Sequence, residues 1–170
     1  MIKKSVIYLV ASLLISLIFI GVYQIDNFRV EKVDISTLKT LDKDNDQYIM
    51  NIDRVSENED YIEVDGWAIE KGVTNEYFNW VSGKDKAVYN NNQVVFQDED
   101  GNVYAINTIS QDRADVNSEI NDNINYAKCG FKGLVKRSKL KENKNYKLGV
   151  IIMTLDKEKI LIMSEEEIEF

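Results

Sequence analysis

Two groups of side chains in this sequence have the types and spacing that chemistry requires. Asp42, Asp44 and Asp46 stand at alternate positions, with Ile49 seven and Asp53 eleven residues after Asp42. Carboxylates so spaced can converge on a hard cation such as calcium, which is held by oxygen ligands. Two departures count against a calcium loop. Gln47 stands at the sixth position, where glycine makes the sharp turn. Asp53, a methylene shorter than the usual glutamate, falls within a predicted strand. The other reading is an acidic, solvated linker. In the second group, Arg113 and Asp115 follow an apolar run. An Arg fork binds a carboxylate or nearby carbonyls and pins a loop, or else clamps an anionic or sugar ligand. The pin is the preferred reading.

Trp67, Tyr77, Trp80 and Tyr89 are candidate aromatic platforms for a sugar. Trp67 alternates away from Ile62, Val64 and Ala68, beside Glu63 and Asp65. The candidate ligand-binding set is therefore Trp67, Tyr77, Trp80, Arg113 and Asp115. Against it, large aromatics on sandwich strands usually fill a core, which is the preferred place for Trp67. Tyr77-Phe78-Asn79-Trp80 reads as a short edge strand or loop.

The composition excludes much else. With no histidine, Ser-His-Asp and Cys-His catalysis and His-ligated zinc are impossible. The single cysteine, Cys129, cannot form an internal disulfide, which fits a bacterial protein better than a eukaryotic secreted one. No glycine-rich loop for phosphate is present. The net charge is −8, and Lys3 and Lys4 are the only charges before Asp26. An acidic remainder argues against nucleic acid and against docking flat on anionic lipid. Acidic residues are many, but no pair can be assigned to one cleft, so a carboxylate-dependent enzyme ranks third among the readings.

The elements that would position these residues begin with Ser5–Ile25, 21 residues without a charge. As a helix at about 1.5 Å per residue this run spans roughly 31 Å, close to the hydrocarbon thickness of a bilayer. A cleaved signal peptide has a shorter apolar core and small residues at its cleavage site, where Tyr23 and Ile25 fit badly. The expectation is an uncleaved, single-pass anchor in the cell membrane, with the following domain outside the cytoplasm. Residues 1–4 form a short basic tail, 5–25 the anchor, 26–46 a juxtamembrane stalk and 47–170 one β domain.

Within that domain the apolar pattern has period two. Tyr48, Met50 and Ile52 share one strand face, as do Ile62, Val64, Gly66 and Ala68. Gly66 in mid-strand marks a bulge or close backbone approach. Gln93–Gln97 and Val103–Ile109 flank Asp98-Glu99-Asp100-Gly101-Asn102, a hairpin signal. Tyr146–Leu155 is apolar on both faces, as a central strand is. These features predict an all-β, antiparallel sandwich, immunoglobulin-like or jelly-roll-like, behind one transmembrane helix.

The segments Gly66-Trp67-Ala68, Arg113-Ala114-Asp115-Val116, Gly130-Phe131 and Tyr146-Lys147-Leu148, in that order, resemble a small β-sandwich module. That module accompanies bacterial cell-envelope glycosyltransferases and glycerophosphotransferases. The resemblance covers roughly residues 47–163 and implies an accessory module without catalytic residues of its own. The expected function is a non-catalytic, envelope-associated binding or scaffolding module for a glycan or protein partner. The alternative is an extracytoplasmic subunit of a membrane complex. No cofactor is expected, calcium at Asp42, Asp44, Asp46 and Asp53 being the one candidate.

Overall fold

A computed structural model describes residues 2–27, 29–43, 45–76, 87–89, 91–141 and 144–169. It begins with α1 (Ile2–Asn27), 26 residues long. Side chains are described on it from Tyr8 to Gly21, and all are exposed. That stretch alone is short for a bilayer, and among the described residues no helix is long and apolar enough to cross a membrane.

The remainder is mostly strand: β1 (Val30–Val33), β2 (Lys39–Leu41), β3 (Tyr48–Glu57), β4 (Tyr61–Glu70), β5 (Thr74–Glu76), β6 (Ala87–Tyr89), β7 (Gln93–Asp98), β8 (Val103–Ile106), β9 (Thr108–Gln111), β10 (Gly130–Lys136), β11 (Tyr146–Met153) and β12 (Lys159–Ile168). A short helix, α2 (Ala114–Ile120), lies between β9 and β10. One sheet has six strands in the order β1-β8-β7-β11-β12-β2, and the other has four in the order β3-β4-β10-β9. β5 and β6 form a separate parallel pair. Neighbours in the two larger sheets are antiparallel except β2, which joins β12 in parallel.

The period-two pattern explains how the sheets meet. Ile62, Val64 and Ala68 of β4, with Phe131 and Val135 of β10, face Val94, Phe96, Leu148, Val150 and Ile162 of the larger sheet in one shared core. β11 is buried on both faces. Val150 and Ile152 point into that core, and Ile151 into a second cluster on the far side. The hairpin forms between β7 and β8, with Gln97 opposite Val103. Gly101 takes φ +80° in its turn, a conformation glycine adopts without strain.

Two departures from the sequence reading have physical causes. Residues 26–46 are not a free stalk, because β1 and β2 within them form the two edges of the six-stranded sheet. The connection between them crosses the sheet's outer face, packing Leu38, with Val33 and Ile35, on Val95, Val103, Ala105, Ile151 and Leu161. The predicted strand Val103–Ile109 is broken at Asn107. β8 stays in the larger sheet while β9 passes to the smaller one, so the run turns a corner between layers.

Candidate functional site: the outer face of the four-stranded sheet

Three of the charged residues that the sequence singles out, Asp53, Arg113 and Asp115, meet at the outer face of the smaller sheet, and a bulge brings Asp53 there. β3 pairs with β4 from Tyr48 opposite Glu70 to Ile52 opposite Gly66, and resumes with Arg54 opposite Asp65. The extra residue, Asp53, lies opposite the region of Gly66, where a Cβ would stand 2.3 Å from the Asn51 carbonyl oxygen. A bulge breaks strict alternation. Asp53 and Arg54 therefore both find polar partners, and Val55 then packs against the core.

Asp53 pairs with the Arg113 guanidinium, and its Oδ1 accepts a hydrogen bond from Asn51 Nδ2 at 2.7 Å. Arg113 also donates to Asp115, from Nε to Oδ1 at 3.0 Å and from Nη2 to Oδ2 at 2.7 Å. Its backbone N–H donates to the Ala127 carbonyl at 2.7 Å. Hydrogen bonds to Asp115, opposed by burial and reinforced by Asp53, raise the Arg113 pKa above its ordinary value. The same bonds hold the Asp115 carboxyl below its ordinary range. Arg113 thus ties the β3 bulge to the first turn of α2.

A second cluster lies on the same sheet. Arg54 donates to Asp65 Oδ2 from Nε at 3.0 Å and to Glu63 Oε1 from Nη2 at 3.0 Å. Lys132 Nζ is 2.7 Å from Glu63 Oε2. Hydrogen bonding to Asp65 raises the Arg54 pKa. Asp65 Oδ1 is buried and has no hydrogen-bond partner among the described residues. No sequence signal marks this network, since it depends on the register of β3, β4 and β10.

α2 and the chain after it cover the rest of this face. Trp67 and Ile69 are buried there with Val116, Tyr126 and Cys129. Trp67 is only 6 % exposed, so it cannot serve as a sugar platform. Tyr126 was not singled out from the sequence, yet it joins two loops. Its hydroxyl donates to Asp122 at 2.6 Å and accepts from the Gly72 N–H at 2.8 Å. Burial pushes the Cys129 thiol up to about 12, so at neutral pH it is a packed thiol rather than a nucleophile.

The other sequence candidates are dispersed. Tyr77, Trp80 and Asp44 lie outside the described residues, as does the side chain of Tyr89. Asp42 and Asp46 are exposed, while Asp53 is engaged by Arg113. The Asn45 side chain accepts from the Gln47 and Tyr48 N–H groups, closing a turn before β3. Among the described residues no three His, Cys, Asp or Glu side chains converge as metal ligands.

Two open cavities flank the larger sheet. One, of about 460 Å³, lies beside the β7–β8 turn, where Lys32 Nζ donates to Asn102 Oδ1 at 2.7 Å. The other, of about 500 Å³, is lined by Thr37, Lys39, Lys157, Glu158 and Lys159. Comparison with protein-family models, curated proteins and solved structures finds no match.

Proposed function

We propose that this chain is a membrane-anchored, non-catalytic scaffolding or binding module of the bacterial cell envelope, with α1 in the lipid and the β domain outside the cytoplasm. The observation that carries the reading is α1 itself. Large apolar side chains from Tyr8 to Ile20 are between 50 % and 73 % exposed. They include the consecutive runs Leu13–Ile15 and Leu17–Ile20, which cover every side of a helix. A helix apolar all round needs an apolar surrounding, and the uncharged sequence continues from Ser5 to Ile25 within a helical backbone that runs to Asn27.

The two facing sheets support a sandwich of immunoglobulin-like or jelly-roll-like type. The mutual pairing of Arg113 with Asp53 and Asp115, and of Arg54 with Asp65, supports a bracing role for those residues rather than ligand capture. With Trp67 buried, glycan capture would rest on Tyr77, Trp80 and Tyr89.

Protease treatment of intact spheroplasts and alkaline washing of membranes test this reading. The chain should stay with the washed membranes, and protease should remove its β domain without lysis. Release by the wash overturns the anchor. Protection until lysis places the domain in the cytoplasm.

A further inference from the structure

We propose that the cavity formed by Lys39, Lys157 and Lys159 is a docking site for the phosphate of anionic lipid headgroups, holding the domain end-on to the membrane that anchors it. The inference rests on the anchor reading of α1. Its own basis is the strand register. Val30 of β1 is opposite Ile106, Ile106 opposite Val94, Val94 opposite Val150, Val150 opposite Ile162, and Ile162 opposite Leu41 of β2. These residues form one rung across all six strands. β1, β2 and β12 leave that rung in the same direction, so the residues preceding each lie at the same end of the sheet. Before Val30 comes α1. Before Leu41 comes Lys39, and before Ile162 come Lys159 and the turn bearing Lys157.

The spacing suits a second attachment. Asn27 is three residues from Val30, a reach of at most about 10 Å, so the anchor holds this end of the sheet near the headgroups. β2 is five strand spacings from β1, roughly 24 Å along the sheet. An anchor at one edge alone leaves the domain free to tilt, and a cationic cavity at the opposite edge restrains it.

The charges suit an anion. No ion pair or hydrogen bond engages the Lys39, Lys157 or Lys159 side chains among the described residues, whereas Lys128, Lys132 and Lys144 are all paired. Among the described residues Glu158 is the one carboxylate lining the cavity, and Thr37 lines it too. Asp156 lies in the same turn, and Glu70 at this end accepts a hydrogen bond from the Leu155 N–H. The cavity lining alone carries three cations against one carboxylate, while this end as a whole, with Asp156 and Glu70, is balanced, so attraction to an anion is confined to the cavity.

The full chain in nanodiscs tests the proposal, with a fluorophore on Leu155→Cys, an exposed position in the same turn. Cys129 is buried and stays unlabelled. Spin-labelled headgroups should quench the fluorophore several-fold more in discs containing phosphatidylglycerol than in phosphatidylcholine alone. Replacing Lys39, Lys157 and Lys159 with Glu should return quenching to the phosphatidylcholine level, since each lysine near an anionic surface is worth roughly five-fold. Replacing them with Gln should do the same in large part and guards against a misfolded Glu variant. Millimolar inorganic phosphate at constant ionic strength should leave the quenching unchanged. Its loss there would make solution phosphate the ligand and overturn lipid docking. Equal quenching in both lipids, with the chain retained in the discs, overturns docking and leaves the anchor standing. A chain not retained in the discs overturns both.

Discussion

At the scale of single residues, Arg113 shows how a side chain that resembles a ligand clamp can be a brace. It is 20 % exposed and joins Asp53, 33 % exposed, to Asp115, 63 % exposed. Those exposures predict unequal mutants. Arg113→Ala leaves the half-buried Asp53 without its cation and should cost about 1.5–3 kcal/mol, a drop of several degrees in thermal melting. Asp115→Ala removes a mostly solvated partner and should cost under about 1 kcal/mol. Equal melting curves for wild type and both variants would contradict the brace. Asp98 gives a pH signature. Burial alone would raise its pKa, but hydrogen bonds from the Asn102 side chain and from the Asn102 and Asp100 N–H groups outweigh it, aided by Lys144, and the net shift is downward. A carboxyl depressed in the folded state contributes stability above its unfolded value, about 3.9, and loses that contribution as pH falls through the folded value. Melting temperature should therefore fall on acidification below about pH 4. Asp98→Asn should melt lower than wild type at pH 7 and lose less on acidification. A variant with an unchanged acid profile would remove Asp98 from that account.

At the scale of elements, what sequence could reveal depended on how many neighbours a strand has. β4 and β11 have partners on both sides, and their alternation fixes which residues point inward. Ile62, Val64 and Ala68 lie in the core and Trp67 and Ile69 on the other face, as the period-two pattern implies. β11 tests this directly. Val150 is fully buried between β7 and β12, so Val150→Asp would place an unpaired carboxylate in the shared core. Its cost is comparable to the whole stability of a domain, and the variant should lose its cooperative melt and strand-type circular dichroism. A folded Val150→Asp would refute the central placement. Edge elements were less legible. β1 and β2 are four and three residues long, too short to establish a period, and their connection buries Leu38 in an outer cluster that only the assembled sheet creates. The candidate site was illegible for a related reason. Asp53 looked like part of an acidic loop because its partner is 60 positions away, and a bulge rather than a motif brings the two together. Arg54, Asp65, Glu63 and Lys132 likewise meet only across strands.

At the scale of the whole molecule, the segment between α1 and β3 is structural, and this changes where the domain begins. Read as a stalk, residues 26–46 could be removed without consequence. In the structure their loss would strip both edges from the six-stranded sheet and uncover Val95, Val103, Ala105, Ile151 and Leu161 on its outer face. Leu38 is 9 % exposed, and burying such a side chain stabilises by about 1.5–3 kcal/mol, before Val33 and Ile35 are counted. Set against a total stability of roughly 5–15 kcal/mol, that is a large share. Removal of β1 and β2 also exposes the backbone of β8 and β12 as new edges, which promotes association between chains. A domain starting at Arg29 should therefore melt cooperatively as a monomer, while one starting at Asp46 should melt many degrees lower, bind a hydrophobic dye and aggregate. Thermal melting with light scattering on the two truncations decides the point. If the shorter one melts at the same temperature and stays monomeric, the crossing segment contributes nothing to the fold, and the domain begins at β3.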